Sequence, residues 1–511
     1  MNSTIDCDVL VVGGGINGAG IARDAAGRGL SVVLCERDDL ASHTSSASTK
    51  LIHGGLRYLE SREFGLVRKA LLEREVLMRS APHIMCPLRF VMPHDAGQRP
   101  AWLVRAGLML YDRLARRQLL PASRAANLLQ HVAGGPLRPE FSRGYIYSDG
   151  WVDDARLVVL NAMDAAEAGA TVLTRTTCET AQRSGDLWQV MLRGADGAMT
   201  VVRARSMVNA TGPWAARFLQ EATGVNQPLR LVKGSHIVVH KKFSHSYAYL
   251  FQHPDGRIVF AIPYEQDFTL IGTTDIDYDG DPAQVAISDE EISYLCSLVN
   301  RYFTSRTTPD DVVWSYSGVR PLVEENGKQA SAVTRDYQLR LDEEGAPLLS
   351  VFGGKITTFR KLAEEALDLL GPLLGKSGGA WTAEACLPGG DLYGLAPSAR
   401  SVLEFDDYVR MQKHAYNWAP PALISRYARA YGTRMHQLLA GCSKIADLGR
   451  EVLPGVFEAE LRYLIRHEWA RTAEDILWRR SKLGLHLPRD AAQTLDAWIA
   501  ATPVPDLITS H

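Results

Sequence analysis

The stretch "DVLVVGGGINGAGIARDAAGRGLSVVLCE", Asp8 to Glu36, decides how this chain folds. Asp8 to Val12 is a short, β-branched apolar run, the pattern of a parallel strand buried on both faces. Gly13, Gly15 and Gly18 follow as G-x-G-x-x-G, and a helical pattern then runs to Arg28 and stops at Gly29. Ser31 to Cys35 reads as a second strand that ends at Glu36. Strand, glycine turn, helix, strand and terminal acid make a βαβ unit opening a doubly wound sheet, so the fold class is α/β. Gly13 makes the tight turn, Gly15 lets backbone approach a pyrophosphate, and Gly18 lets the helix pack on the strand. Ile16 and Asn17 open the helix, whose N-terminus faces the phosphates. Glu36 stands where an acid holds a ribose hydroxyl pair and disfavours a 2′-phosphate, which sets NADP aside.

Two neighbouring stretches favour FAD over NAD. In "SSASTKLIHGGLRYLE" (Ser45 to Glu60), the hydroxyls of Ser45, Ser46 and Ser48 follow the second strand closely. They can continue along a pyrophosphate toward a ribityl chain, which nicotinamide cofactors lack. In "VNATGPWA" (Val208 to Ala215), Ala210 and Gly212 shape a small turn after an apolar strand, suited to close contact with a flat cofactor. Each alone reads equally well as a plain loop; together they lean toward flavin.

A chain of 511 residues exceeds one ordinary core, so two to four domains are expected. The net charge of −2 argues against a nucleic-acid partner. Seven scattered cysteines without a CxxC pair fit a reducing cytosol and no structural zinc. The N-terminus lacks the basic and apolar regions of a signal peptide. No window approaches the roughly 18 apolar residues of a spanning helix, so any membrane contact is expected to be peripheral. Residues 61–130 read as mostly helical, 168–208 as short strands, and 231–276 as strands. "APLLSVF", a Gly-Gly turn and "TTFRKLAEEALDLL" then restore the sheet pattern. A Gly- and Pro-rich break falls at 386–399, and everything after it reads as helix. The expected division is a discontinuous cofactor domain (1–75, 145–230 and 312–388), a β-rich substrate domain (76–144 and 231–311), and a helical C-terminal domain (389–511).

"KLIHGGLRYLE", "VNATGPW", "SGVRPL", "TRDY", "SVFGGKITTFRKLAEEAL" and "RYLIRHEWARTAEDILWRR", with the glycine fingerprint, resemble the FAD-dependent glycerol-3-phosphate dehydrogenases in order and spacing over nearly the whole chain. The resemblance implies a Rossmann-like FAD domain of the glutathione-reductase type, a β-rich substrate domain and a helical cap. It implies oxidation of sn-glycerol 3-phosphate to dihydroxyacetone phosphate, with electrons passing through FAD to a membrane quinone. It also implies a cytoplasmic enzyme bound peripherally to the inner membrane; a homodimer is left open.

A phosphate monoester is close to a dianion at neutral pH, and holding it out of water takes several cationic donors. Arg57, Arg320, Arg335 and Lys355 are the candidates. Any one of them reads as an ordinary solvated cation; the resemblance places all four at the substrate pocket, with Arg320 also catalytic. Tyr58 and Thr358 are hydrogen-bond candidates, and Gly354 and Lys355 also border the cofactor. His236, in "VKGSHIVVH", is the candidate base for the C2 hydroxyl proton, against an equal reading as a packed strand histidine. His53 is the competitor, or a flavin-positioning group.

"DIDYDG" (Asp275 to Gly280) begins like a calcium loop, but its twelfth position is Ala286, so it reads as an acidic turn and no metal is expected. Pro100 to Leu120 carries an apolar face (Trp102, Leu103, Met109, Leu110, Leu114) bordered by Arg105, Arg113, Arg116 and Arg117. That suits docking on an anionic membrane surface, and equally a core-packed helix. The rival functions are a glycerol-3-phosphate oxidase using dioxygen, an amino-acid oxidoreductase, which four cations argue against, and a flavin-bound sensor or scaffold.

Overall fold

A computed structural model describes residues 3–95, 98–253, 257–323, 336–375 and 378–502. The opening unit forms as its spacing predicts: β1 (Ser3–Val12), α1 (Ile16–Gly27) and β2 (Val32–Cys35), with β2 buried throughout. β1 pairs in parallel with β2 and with Met199–Asn209, which sets Val12 beside both Cys35 and Asn209. The resulting eight-stranded sheet runs Gln338–Asp342, Leu348–Phe352, Met199–Asn209, β1, β2, Thr171–Leu173, with Leu187–Gly194 paired off Met199–Asn209 and Thr176–Ser184 paired in turn with Leu187–Gly194. α1 packs between the sheet and the helices Asp154–Glu167 and Phe359–Leu373, around a core that includes Val9, Val11, Ala22, Val158, Leu362 and Ala366. The glycine turn therefore sits at the carboxyl ends of parallel strands, where open α/β sheets bind ligands.

A second, ten-stranded sheet takes in β3 (Leu51–Ile52), β4 (Met85–His94), β5 (Arg124–Asn127) and β6 (Arg143–Val152). Between these come the helices α2 (Phe64–Ser80) and α3 (Ala101–Arg113). The region 61–130 is therefore not mostly helical. β4 is a ten-residue strand in register against β6, and it carries Pro87 and Pro93, which a helix interior excludes. Three strands drawn from segments expected in the cofactor domain, β3, β6 and Val312–Val323, lie in this second sheet. Val312–Val323 pairs along Leu229–His240, and this brings Arg320 to the first sheet's ligand edge. There Thr44 donates from Oγ1 to the Val319 carbonyl at 2.7 Å.

The C-terminal region has its own core, built from Ile424, Tyr427, Leu461, Leu464 and Leu495 on helices such as Pro421–Tyr431, Glu458–His467 and Ala491–Ala501. It is not all helix: Glu451–Leu453 and Val456–Phe457 form a small hairpin around Gly455, whose φ of +72° suits a tight turn. Buried ion pairs join this region to the cofactor end. Asp39, just beyond β2, accepts from Arg479 Nε at 2.7 Å and from Arg480 Nη1 and Nη2 at 2.6 and 2.7 Å. Arg156 pairs with Glu468 in the same layer. Losing one partner of such a pair strands a buried charge, at a cost of about 3–5 kcal/mol.

Candidate active site

At Gly13 the backbone has φ +110°, and a Cβ there would lie 2.5 Å from the Ala210 carbonyl oxygen. A Cβ on Gly18 would lie 1.9 Å from the Gly13 carbonyl oxygen. No side chain fits either place, and the bare backbone closes into a cradle at the start of α1. The Glu36 carboxylate accepts from Gly14 N–H at 2.6 Å and from Asp38 N–H at 2.8 Å. Burial pushes its pKa up, and these two amides oppose that shift. Ile16 N–H donates to Ser45 Oγ at 3.0 Å. Asn17 donates from Nδ2 to the Gly353 carbonyl at 3.2 Å, while its Oδ1 is buried without a hydrogen-bond partner among the described residues.

These groups border a cavity of about 560 Å³. Of the residues singled out in the sequence, Gly13, Gly15, Ile16, Asn17, Glu36, Ser45, Ser48, His53, Arg57, Tyr58, Ala210, Gly212, Arg320, Gly354 and Lys355 all line it. Its walls thus combine a glycine cradle, a terminal acid, a hydroxyl-bearing loop and an unpartnered buried acceptor, a donor and acceptor set that fits FAD. Lys355 Nζ lies 3.5 Å from the centroid of the Tyr58 ring, a cation–π contact. Arg320 donates to Asp275 Oδ1 at 3.0 Å, and its Nη2 lies 3.4 Å from Thr273 Oγ1.

Three singled-out side chains sit elsewhere. Ser46 does not line the cavity; its hydroxyl donates to the His43 carbonyl at 3.2 Å. Thr358 is buried, and its neighbour Thr357 lines the cavity instead, accepting His53 N–H on Oγ1 at 3.3 Å. His236 is 1% exposed and does not line the cavity. Its strand is central, flanked by Phe268–Gly272 and Val312–Val323, and a Cβ on Gly272 would lie 2.1 Å from the ring. The ring stacks on Tyr316 at 4.8 Å, and Nε2 lies 3.0 Å from Oγ1 of Thr49, which does reach the cavity. Burial, and then the charges of Arg320 and Lys50, hold its pKa well below the ordinary 6.5. Arg335 lies outside the described residues.

The cavity also has members that sequence reasoning missed. Arg257 lines it, with its guanidinium 4.2 Å from the centroid of the Tyr294 ring. Nothing local marks it, since "GRIVF" is an ordinary strand entry. Asp275, first residue of the rejected calcium-like turn, lines it as well, and its role is to face Arg320.

Residues 8–360 match the family model described as FAD dependent oxidoreductase, and residues 380–502 match the C-terminal domain of alpha-glycerophosphate oxidase. A glycerol-3-phosphate dehydrogenase of Pseudomonas aeruginosa is 54% identical over 484 residues, covering 94% of this chain and 92% of that protein. A D-erythritol 1-phosphate dehydrogenase of Brucella abortus is 50% identical over 496 residues, covering 96% and 97%. The crystal structure of the glycerol-3-phosphate dehydrogenase from Bacillus halodurans complexed with FAD superposes with a TM-score of 0.78 at 29% identity, covering 97% of this chain and 90% of that one.

Proposed function

This chain belongs to the family of FAD-dependent glycerol-3-phosphate dehydrogenases, with FAD as its cofactor, and on that premise we propose that it oxidises sn-glycerol 3-phosphate to dihydroxyacetone phosphate. One observation carries the reading. Arg57, Arg320 and Lys355, from three distant segments, line the same cavity as the Gly13–Glu36 cradle. Gly13, Gly15, Asn17, Glu36 and Ser45 would hold FAD, which would supply the acceptor for the hydride on C2. The three cations, with Arg257 lining the same cavity, neutralise the phosphate dianion; each charge-assisted hydrogen bond is worth about 1.5–3 kcal/mol. Asp275 holds the Arg320 guanidinium in place. His53 takes the proton of the C2 hydroxyl, a role for which it lines the cavity and His236 does not. A positioned base contributes roughly 10²–10⁴-fold. His236 instead supports Thr49 from behind.

The electrons leave for a membrane quinone, with the protein docked through α3. Trp102 is 70% exposed and Leu103 44%, Met109 and Leu110 lie exposed beside them, and Arg105 and Arg113 are exposed at the rim. No helix among the described residues is long and apolar enough to cross a membrane. Trp102→Ser combined with Leu103→Ser shifts the protein from anionic vesicles to the supernatant; unchanged partitioning would remove α3 from the account.

The identity to the Brucella abortus relative favours a second reading, D-erythritol 1-phosphate as substrate. An assay with each ester, a quinone analogue and a peroxide probe separates the outcomes. Dihydroxyacetone phosphate formed in step with quinol, without hydrogen peroxide, is the expected result. Turnover of the four-carbon ester alone, or stoichiometric peroxide, would overturn it.

A further inference from the structure

Gly54 lies between His53 and the turn that carries Arg57 and Tyr58, and a Cβ on it would lie 2.7 Å from the Tyr111 hydroxyl and 2.6 Å from Leu71 Cδ2. Its buried N–H donates to Tyr111 Oη at 2.9 Å, with Asp149 Oδ1 a longer second acceptor at 3.4 Å. Tyr111 is fully buried on the inner side of α3, and its hydroxyl donates in turn to the Asp149 carboxylate, 2.8 and 2.9 Å from the two oxygens. Asp149, on β6, accepts from Arg74 Nη1 of α2 at 2.5 Å, and that guanidinium also holds the Ser148 carbonyl at 3.1 Å. Side chains from α2, α3 and β6 thus converge on one amide of the segment that faces the substrate.

We propose that Tyr111 is a positioning residue for the segment His53–Tyr58, acting through the Gly54 amide. The hydroxyl is at once acceptor for Gly54 and donor to Asp149, so its orientation is fixed from both sides. A single peptide plane then sets where His53 points on one side and, through Gly55 at φ +77°, where Arg57 and Tyr58 lie on the other. The catalytic consequence rests on the reading of the substrate pocket given above; the structural one does not. A proton acceptor misplaced by a fraction of an ångström loses rate while the cofactor stays bound.

The test uses the full-length, FAD-loaded protein and Tyr111→Phe, which keeps the ring and removes the hydroxyl. Amide hydrogen exchange over peptides spanning residues 50–60 is read first, because it needs no substrate. Exchange at Gly54 rises about tenfold in the variant, as expected when the shorter of its two buried hydrogen bonds is lost and only the long contact to Asp149 remains. Anaerobic reduction by glycerol 3-phosphate is read second. The limiting rate falls about tenfold or more while FAD content holds, and the dissociation constant for the ester changes less than the rate. Asp149→Asn loosens the same chain from its other end, and it serves if Tyr111→Phe does not fold. Parent-like exchange at Gly54 in either folded variant would overturn the proposal, whatever the rate. If the parent is not reduced by glycerol 3-phosphate, the substrate reading fails while the exchange result still decides the role of Tyr111.

Discussion

Asp8 to Glu36, 29 consecutive residues, supply the glycine turn, the helix N-terminus and the acid of the cofactor cradle. The cations proposed to hold the phosphate, Arg57, Arg320, Lys355 and Arg257, reach the same cavity from segments up to 298 positions apart. The cradle is fixed by local geometry: bare backbone at Gly13 and Gly18, and one carboxylate on the Gly14 amide. The proposed phosphate site depends on sheet register instead, since Arg320 reaches the cavity because Val312–Val323 pairs with Leu229–His240 and packs on the loop at Thr44. A local site fails at one atom; a site assembled from four segments loses its members one at a time.

The largest expected effect breaks the first half of that comparison. A side chain at Gly18 would drive into the Gly13 carbonyl, so Gly18→Val yields protein without bound FAD, read by the flavin-to-protein absorbance ratio. Full FAD content would contradict the cradle. Next comes His53→Gln, which lowers the limiting rate of anaerobic flavin reduction by about 10²–10⁴-fold with FAD retained. A loss of that size in His236→Gln and not in His53→Gln would reverse the assignment. Arg320→Lys keeps a charge but loses the fork held by Asp275; kcat/KM falls by roughly 10–100-fold, mostly through KM. The smallest effect concerns stability. Because the folded pKa of His236 lies below the ordinary 6.5, its neutral form contributes stability that is present above pH 6.5 and is lost as pH falls through the folded value. His236→Gln therefore shows a shallower fall in Tm on acidification below about pH 6.5 than the parent, read by calorimetry across a pH series. Equal slopes would show that this histidine is not held neutral.

The same contrast sets how much the sequence reveals. The cradle is legible because every element of it is a short-range signal: β-branched run, spaced glycines, helix, strand, acid. The cations are legible only as candidates, since an arginine in "SGVRPL" carries no local sign of the strand pairing that aims it. Arg257 has no sign at all. A strand histidine such as His236 reads the same in sequence whether it faces the cavity or sits one layer behind Thr49, and the structure buries its ring behind Thr49 on a strand flanked by two others. β4 hides in a Leu- and Arg-rich stretch because its pairing with β6, not its propensity, makes it a strand.

The central claim is that this cavity holds a three-carbon phosphate ester against the flavin, and anaerobic titration of the purified holoprotein with glycerol 3-phosphate tests it most directly. The account predicts stoichiometric bleaching of the oxidised flavin band, with dihydroxyacetone phosphate formed mole for mole. A flavin that stays oxidised at saturating ester would contradict it.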